Sequence, residues 1–165
     1  MKPMVYVETS VISYLAARPS RDVIIAGRQA ETHEWWENRR HRFELRISTL
    51  VEEEISAGDT AAAQRRLSWV AEIPSLAITD EAKVIARLLI SKGTVPAGSE
   101  EDALHISIAA SQGAEYLLTW NFRHINNAET KDAIVDIIRT SGYECPRLCS
   151  PEELGGKHDA SRSDC

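Results

Sequence analysis

The segment 101–125, EDALHISIAASQGAEYLLTWNFRHI, decides the fold of this chain. Its first half predicts a helix from about Glu100 to Ser111, with Gly113 near the helix end. The run EYLLT at 115–119 is short and apolar and predicts a buried strand. A helix that leads directly into a buried strand is typical of chains in which helices and strands alternate.

The rest of the chain continues this alternation on both sides of the segment. Four other apolar runs predict strands: MVYVE at 4–8, FELRIST at 43–49, SLAIT at 75–79 and PRLCS at 146–150. Further helices are predicted between the strands. VISYLAA at 11–17 and LVEEEISAG at 50–58 are two of them, and an amphipathic helix follows NFRHI. Three longer helices have predicted N-caps: Ser20 for the helix from Arg21 to about Arg40, Asp59 for the helix that ends near Val70, and Asp80 for the helix from Glu81 to about Ser91. Strands separated by helices of ten or more residues imply a parallel sheet covered on both faces. We therefore predict an α/β fold, a three-layer α/β/α sandwich with a central, mainly parallel sheet of four to five strands.

The long helix that follows Ser20 carries apolar residues that fall roughly on one side: Val23, Ile24, Ala30, Trp35 and Trp36. Two interpretations stay open for them, the core of the monomer and an interface with a second chain.

Length and composition favour one compact domain. The chain has 165 residues, 43% hydrophobic and 27% charged, and we expect a single domain over 1–154 and a disordered polar tail over 155–165. No apolar run reaches the ~20 residues of a membrane-spanning helix, and the first residues lack the pattern of a secretory signal. We therefore expect no membrane partner and a cytoplasmic protein in which Cys145, Cys149 and Cys165 are reduced thiols.

The formal net charge of −6 argues at first against nucleic acid as a partner. Phosphate binding usually leaves a basic footprint on a protein. The objection weakens if several carboxylates gather to hold divalent cations, because the ions reverse the local field. Local clusters rather than the net charge therefore decide the question.

Acidic residues recur where ligand sites form in open α/β sheets, beyond the carboxyl ends of the strands. Glu8 ends the first predicted strand, Glu54 lies one short helix beyond the second, and Asp102 opens the helix that leads into the fourth. Carboxylates at close range repel one another unless protons or cations neutralise them, and Mg²⁺ and Mn²⁺ prefer such oxygen ligands. Taken singly, each acid also has a structural explanation, as a strand end, a favourable charge in a first helical turn or a cap. Only the combination points to a metal site.

Three segments of the chain resemble the PIN-domain family, and within it the VapC-type toxins of toxin–antitoxin pairs. They are VYVETSVISYL at 5–15, STLVEEEISAG at 48–58 and the segment 101–125 quoted above. The resemblance covers about residues 4 to 150 in the family's order, and its most specific element is the DALHISIA helix followed by LLTWN. It implies a Mg²⁺- or Mn²⁺-dependent endoribonuclease with an RNA substrate, an antitoxin partner and a homodimer.

The resemblance also assigns site residues by position. The family's three acids fall at Glu8, Glu54 and Asp102, which would hold the metal, and its fourth polar position falls at Asn121. Accessory roles are expected for four neighbours: Ser10, Glu101, Thr119 and Arg123. Two departures from the family's pattern keep an alternative open. Glu8 is one methylene longer than the Asp most often found there, and Asn121 is neutral, so the alternative is a catalytically weak or inactive PIN scaffold that binds RNA or protein.

An RNA substrate requires local positive charge, for which Arg123 and His124 beside the acidic loop are favoured over arginines such as Arg28 on helix faces. Trp120 either stacks on a base or packs inside the protein, and packing is favoured for His105. A phosphatase of the haloacid-dehalogenase type is disfavoured because D-x-D-x-T is missing at the first strand, and a receiver domain because PRLCS lacks a lysine.

Overall fold

The computed structural model describes residues 1–155 of the chain. The tail predicted to be disordered lies, apart from Gly155, outside the described residues. The strands are β1 (Met4–Val7), β2 (Glu44–Ser48), β3 (Ser75–Leu76), β4 (Tyr116–Leu118) and β5 (Arg147–Cys149). The helices are α1 (Thr9–Ala16), α2 (Val23–Asn38), α3 (Thr49–Ile55), α4 (Thr60–Val70), α5 (Asp80–Ser91), α6 (Glu100–Ser111) and α7 (Lys131–Thr140), with a short 3₁₀ helix at Arg40–Arg42.

The strands form one parallel sheet in the order β3-β2-β1-β4-β5. The chain adds strands on one side of β1 and then, from β4 onward, on the other side. Ligand sites of open α/β sheets lie beyond the carboxyl ends of the strands where this reversal occurs, which here is between β1 and β4. The predicted parallel sheet of four to five strands between helices is confirmed.

The centre of the sheet is buried on both faces. Val5, Tyr6 and Val7 of β1 are fully inaccessible, although successive strand residues point to opposite faces. Helices therefore cover both sides of β1. Glu8 follows the carboxyl end of this strand and so lies at the edge of a rigid core.

The main differences from the predicted boundaries lie at α2. The N-cap is Asp22, whose side chain accepts from the backbone N–H of Ile25 at 3.0 Å, and the predicted cap Ser20 is wrong. Ser20 instead accepts from the N–H of Asp22 at 3.1 Å, so it orders the turn that precedes the helix. Val23 and Ile24 are 85% and 69% exposed, so they do not join the core.

Other caps follow the prediction in part. Asp59 caps α4 as predicted, whereas α5 is capped by Thr79 and Asp80 is its first residue. Ser99 precedes α6 but its side chain makes no capping hydrogen bond. Within residues 1–155 the helices fall short of the length and apolarity required to cross a membrane.

Candidate active site at the carboxyl ends of β1 and β4

Glu8 is a buried carboxylate at the end of β1, with 6% of its surface exposed. Its Oε1 accepts from the hydroxyls of Ser10 at 2.5 Å and Thr119 at 2.6 Å. Its Oε2 accepts from the backbone N–H of Ser10 at 3.0 Å, which makes Glu8 the N-cap of α1. Three donors thus compensate the burial of this charge.

Ser10 and Thr119 also connect this carboxylate to the loop after β4. Ser10 Oγ accepts from the backbone N–H of Trp120 at 2.8 Å, and Thr119 Oγ1 accepts from that of Asn121 at 2.9 Å. The two hydroxyls therefore hold the carboxylate of Glu8, and they fix the loop of residues 119–121 against it.

Asp102 lies in the first turn of α6 and is half-buried. Burial raises the pKa of Asp102 above its ordinary value. A hydrogen bond from Asn121 acts against this rise, and the negative charge of Glu8 adds to it. The two carboxylates are therefore close enough for the charge of one to disfavour ionisation of the other.

Asn121 supports Asp102 through its amide group. Its Oδ1 accepts from the backbone N–H groups of Arg123 at 3.1 Å and His124 at 2.9 Å. Its amide nitrogen is thereby left to donate to Asp102. Asn121 acts here as a positioning residue, and a direct part in catalysis at this fourth polar position stays a prediction.

Glu54 lies near the C-terminal end of α3 and is held by two donors. Its Oε1 accepts from the hydroxyl of Thr9 at 2.7 Å and contacts Nε2 of His105 at 2.5 Å. Burial raises the pKa of Glu54, but the hydrogen bonds from His105 and Thr9 and the charge of His105 outweigh it, so that the pKa is lowered overall. Glu54 is therefore kept as a carboxylate.

His105 belongs to a buried hydrogen-bonded chain that reaches Glu54. The hydroxyl of Tyr6 lies 2.7 Å from His105 Nδ1 and 2.7 Å from Ser48 Oγ. The contacts are compatible with one another when the Nε2–H of His105 donates to Glu54 and the Tyr6 hydroxyl connects Nδ1 of His105 to Ser48 Oγ. The favoured interpretation of His105 as a packing residue alone is wrong, because its ring also orients a candidate site acid.

No sequence signal identified this hydrogen-bonded chain, since its members stand 42 and 99 positions apart. The one available clue was the spacing of His105 from Asp102, which places both on one face of α6.

The carboxylate oxygens of Glu8 and Asp102 are of the kind that Mg²⁺ and Mn²⁺ prefer. Burial raises the pKa of Asp102, and a cation bound near both carboxylates would offset the charge of Glu8 that adds to this rise. Mg²⁺ is usually held by one or two carboxylates together with water and substrate phosphates, so a pair is a sufficient contribution from the protein.

Within residues 1–155, no three His, Cys, Asp or Glu side chains lie close enough together to hold an ion as a group. Both hydrogen bonds of Glu54 go to its Oε1, from His105 and Thr9. The ligand set of Glu8, Glu54 and Asp102 therefore stays a prediction. Within it, Glu8 and Asp102 are linked to the same loop, the first through Thr119 and the second through Asn121.

The remaining predicted residues differ in their placement. Glu101 and Arg123 are exposed, and their accessory roles stay predictions. His124 is close enough to Asp102 for its charge to lower the pKa of that acid. Trp120 is 5% exposed and donates from Nε1 to the hydroxyl of Thr32 at 2.8 Å, so packing is its role.

No protein-family model and no curated protein matches the chain. Solved structures do match its fold. One is VapBC2 from Rickettsia felis, bound to a DNA fragment from its promoter, with a TM-score of 0.52 and 16% identity over 89% of this chain and 98% of that chain. Another is the sarcin-ricin loop cleaving toxin VapC20 from Mycobacterium tuberculosis, with a TM-score of 0.54 and 15% identity over 78% of this chain and 94% of that chain. These matches confirm the resemblance at the level of the fold: the chain has the PIN-domain fold of the VapC toxins.

Proposed function

We propose that this protein is a divalent-metal-dependent endoribonuclease and the toxin of a toxin–antitoxin pair. One observation carries the proposal. Two carboxylates from distant parts of the sequence, Glu8 and Asp102, are linked to the same loop at the switch point of the sheet, because Glu8 accepts from Thr119 and Asp102 accepts from Asn121. Two negative carboxylates repel each other at a partly buried position, which costs free energy. A bound cation would remove this repulsion and would also attract a phosphate.

Each residue of the site has a distinct role in this proposal. Glu8 and Asp102 would hold the cation. Ser10 and Thr119 keep Glu8 in place through its Oε1, and Asn121 keeps Asp102 in place through its amide. When bound, Mg²⁺ or Mn²⁺ activates water as the nucleophile and offsets negative charge on the phosphodiester.

Glu54 has one carboxylate oxygen for which no donor is described, because both of its hydrogen bonds go to Oε1. A carboxylate held at one oxygen presents the other in a fixed direction. We therefore assign Glu54 as a third acid of the site, with His105 as the residue that orients it. Once RNA is bound, Glu54 would become a ligand of the metal ion or accept a proton.

The proposed substrate and partners come from the solved structures that share this fold. VapC20 is a toxin that cleaves the sarcin-ricin loop, and VapBC2 is a complex bound to a fragment of its promoter DNA. We extend RNA cleavage, an antitoxin partner and a homodimer to this chain as proposals. The exposed Val23 and Ile24 on the first turn of α2 support a protein interface, since the structure leaves them out of the core.

An inactive scaffold that only binds RNA or protein is the second candidate. The observation that favours it is that no three metal-binding side chains are grouped within residues 1–155. The two candidates differ in one measurable property, the cleavage of RNA in the presence of a divalent cation.

The test is cleavage of a mixed RNA substrate with Mn²⁺ or Mg²⁺, compared with a chelator and with Asp102→Asn. Asp132→Asn is the matched control, because Asp132 is exposed and occupies the first turn of α7 as Asp102 does that of α6. We expect cleavage to depend on the metal ion and Asp102→Asn to lower it by more than about 100-fold. A loss of this size exceeds what is usual when a residue that only hydrogen-bonds to a metal ligand is removed. Cleavage absent from the wild type would favour the scaffold, and cleavage equal in Asp102→Asn would remove this site from the reaction.

A further inference from the structure

Phe122 is an aromatic residue on the rim of the candidate active site. It directly follows Asn121, whose side chain supports Asp102, and 40% of its surface is exposed. Exposed large apolar side chains are individually common, so exposure alone carries no argument. Phe122 differs from other exposed apolar residues in how its ring is held and in the charged group that lies beside it.

The loop that carries Phe122 is fixed by hydrogen bonds on both sides of the residue. Asn121 Oδ1 binds the backbone N–H groups of the next two residues, Arg123 and His124, at 3.1 and 2.9 Å. The backbone N–H of Asn126 donates to the carbonyl of Asn121 at 2.8 Å. The ring is therefore presented from a defined turn, and little conformational entropy remains to be lost when a ligand binds to it.

Arg28 of α2 lies against the same ring. Its guanidinium carbon is 5.3 Å from the ring centroid of Phe122 and 5.6 Å from that of Trp120. The two rings meet edge to face, with centroids 6.0 Å apart. A hydrogen bond of 3.4 Å from Arg28 to the hydroxyl of Tyr14 further restricts the guanidinium. Although Arg28 lies on a helix face, its guanidinium is not simply solvated, because it packs against the two aromatic rings of Phe122 and Trp120.

Of these two rings, Phe122 is the one open to a ligand. Trp120 is 5% exposed, and its Nε1 is bound to Thr32. Trp120 therefore supports the cluster from inside the protein and cannot stack on a nucleobase, whereas the exposed part of the Phe122 ring can.

We propose that Phe122, backed by Arg28, forms a stacking subsite for one unpaired nucleobase of the RNA. The proposal rests on the proposed function, because it places the base next to a phosphate at Glu8 and Asp102. Aromatic side chains stack on bases of any sequence, and a neighbouring guanidinium adds positive charge close to the RNA backbone in a protein whose net charge is −6.

A protein partner fits this subsite less well than a nucleotide does. The immediate surroundings of Phe122 are cationic, with Arg28 against the ring and the exposed Arg123 next in the chain. Apolar protein interfaces are depleted of charge at their centre, whereas single-stranded nucleic acid is bound by aromatic rings interleaved with positive charge.

The test measures binding without cleavage, in the Asp102→Asn background and in the presence of a chelator. The probes are two short, fluorescently labelled single-stranded oligoribonucleotides, one with all its bases and one with abasic positions throughout its centre. Phe122→Leu keeps an apolar side chain but removes the aromatic stacking surface, and Phe122→Trp restores an aromatic surface. Val84→Ala is the control, because Val84 is an exposed apolar residue of α5 in the groove between α5 and α7.

We expect Phe122→Leu to raise the Kd for the complete oligonucleotide about tenfold, the size of one base–aromatic stack, and to leave the Kd for the abasic one unchanged. Phe122→Trp should recover the affinity, and Val84→Ala should have no effect. An equal loss for both oligonucleotides, no loss for either, or no measurable binding would each overturn the subsite. Failure of the nuclease proposal appears separately, as absent cleavage by the wild type with Mn²⁺ while the difference between the two oligonucleotides persists.

Discussion

At the scale of single residues, two of the three candidate acids, Asp102 and Glu54, have pKa values that move in opposite directions. The pKa of Asp102 is raised, first by burial, despite the hydrogen bond from Asn121, and the charge of Glu8 adds to the rise. The pKa of Glu54 is lowered, because hydrogen bonds from His105 and Thr9 outweigh burial. The ionised form of Asp102 is therefore disfavoured by folding, and the ionised form of Glu54 is favoured by it.

These directions predict how neutralising Asp102 changes stability. A carboxyl group whose pKa is raised by folding contributes stability at pH values below its ordinary pKa. This contribution is lost as the pH rises through the pKa that the group has in the folded protein. At neutral pH without metal, Asp102→Asn should therefore raise the thermal midpoint relative to the wild type. Thermal unfolding followed by circular dichroism in a chelator tests this, with Asp132→Asn as control, and a lowered midpoint would contradict it.

Glu54 predicts the opposite dependence on pH. A carboxyl group with a lowered pKa contributes stability above its ordinary pKa, and this is lost as the pH falls through the folded value. Glu54→Gln should thus be less stable than the wild type at neutral pH, and the difference should shrink on acidification. Urea unfolding at several pH values measures the difference, and a gap that stays constant down to the acid limit of folding would refute the assignment.

The Tyr6–His105–Glu54 chain predicts a loss of stability when its centre is removed. His105→Ala removes one hydrogen bond from the buried hydroxyl of Tyr6 and one from Glu54, which keep Ser48 and Thr9 as partners, and it opens a cavity. We expect a loss of about 2–4 kcal/mol in the free energy of unfolding, from two hydrogen bonds of ~1 kcal/mol each together with the cavity. The exposed His41 offers a control, and a loss for His105→Ala no larger than for His41→Ala would contradict the described chain.

At the scale of elements, α2 has two parts with different environments. Its C-terminal half packs into the core through Trp35 and Trp36, whereas its first turn leaves Val23 and Ile24 exposed. Sequence periodicity grouped all four on one side, because it detects where apolar residues recur and not which turn of a helix reaches the sheet. The C-terminal half of α2 therefore belongs to the core, and an interface at its first turn stays a prediction.

This division predicts unequal effects for two isoleucines. Ile24→Ala should change the free energy of unfolding by no more than about 0.5 kcal/mol, as is usual for surface positions. Ile12→Ala, at a fully buried position of α1, should cost about 2–5 kcal/mol. Chemical denaturation of both variants measures the contrast, and comparable losses would show that the first turn of α2 is packed.

The elements themselves were largely predictable, and their caps less so. Hydrophobic runs and turn residues located the strands and helices because those signals are local. Capping was harder to predict, since Ser20 and Asp22 are both good N-cap residues and the choice between them depends on the path of the chain before α2. Glu8 was recognised as a candidate acid, but its capping of α1 depends on the backbone turn after β1.

At the scale of the whole molecule, the parallel sheet converts distant positions into neighbours. The order β3-β2-β1-β4-β5 places the ends of β1 and β4 side by side, which brings Glu8 to Thr119 across 111 positions. The alternation of elements predicted the parallel sheet and, through it, the approach of Glu8 to the loop after β4, whereas the convergence of all three acids stays a prediction. It could not predict that His105 takes one oxygen of Glu54, or that Phe122 rather than Trp120 is the exposed ring, because both depend on side-chain packing between elements.

Metal binding connects the site to the stability of the whole molecule. If Glu8 and Asp102 hold a divalent cation, Mn²⁺ should stabilise the folded protein by mass action, by about 2.7 kcal/mol at 100 times its Kd. Asp102→Asn should lose most of this gain, and Asp132→Asn should keep it. Unfolding titrations with Mn²⁺ measure the effect, and equal stabilisation of all three proteins would place the ion elsewhere.

The most direct test is a crystal of the wild-type protein soaked in Mn²⁺ and measured for anomalous scattering. We expect an anomalous peak about 2.2 Å from a carboxylate oxygen of Glu8 and from one of Asp102, the bond length of a hard divalent cation to oxygen. An ordered site with both carboxylates in place and no anomalous peak, or a peak only at a distant surface position, would contradict the central claim that these two acids meet to bind a metal ion.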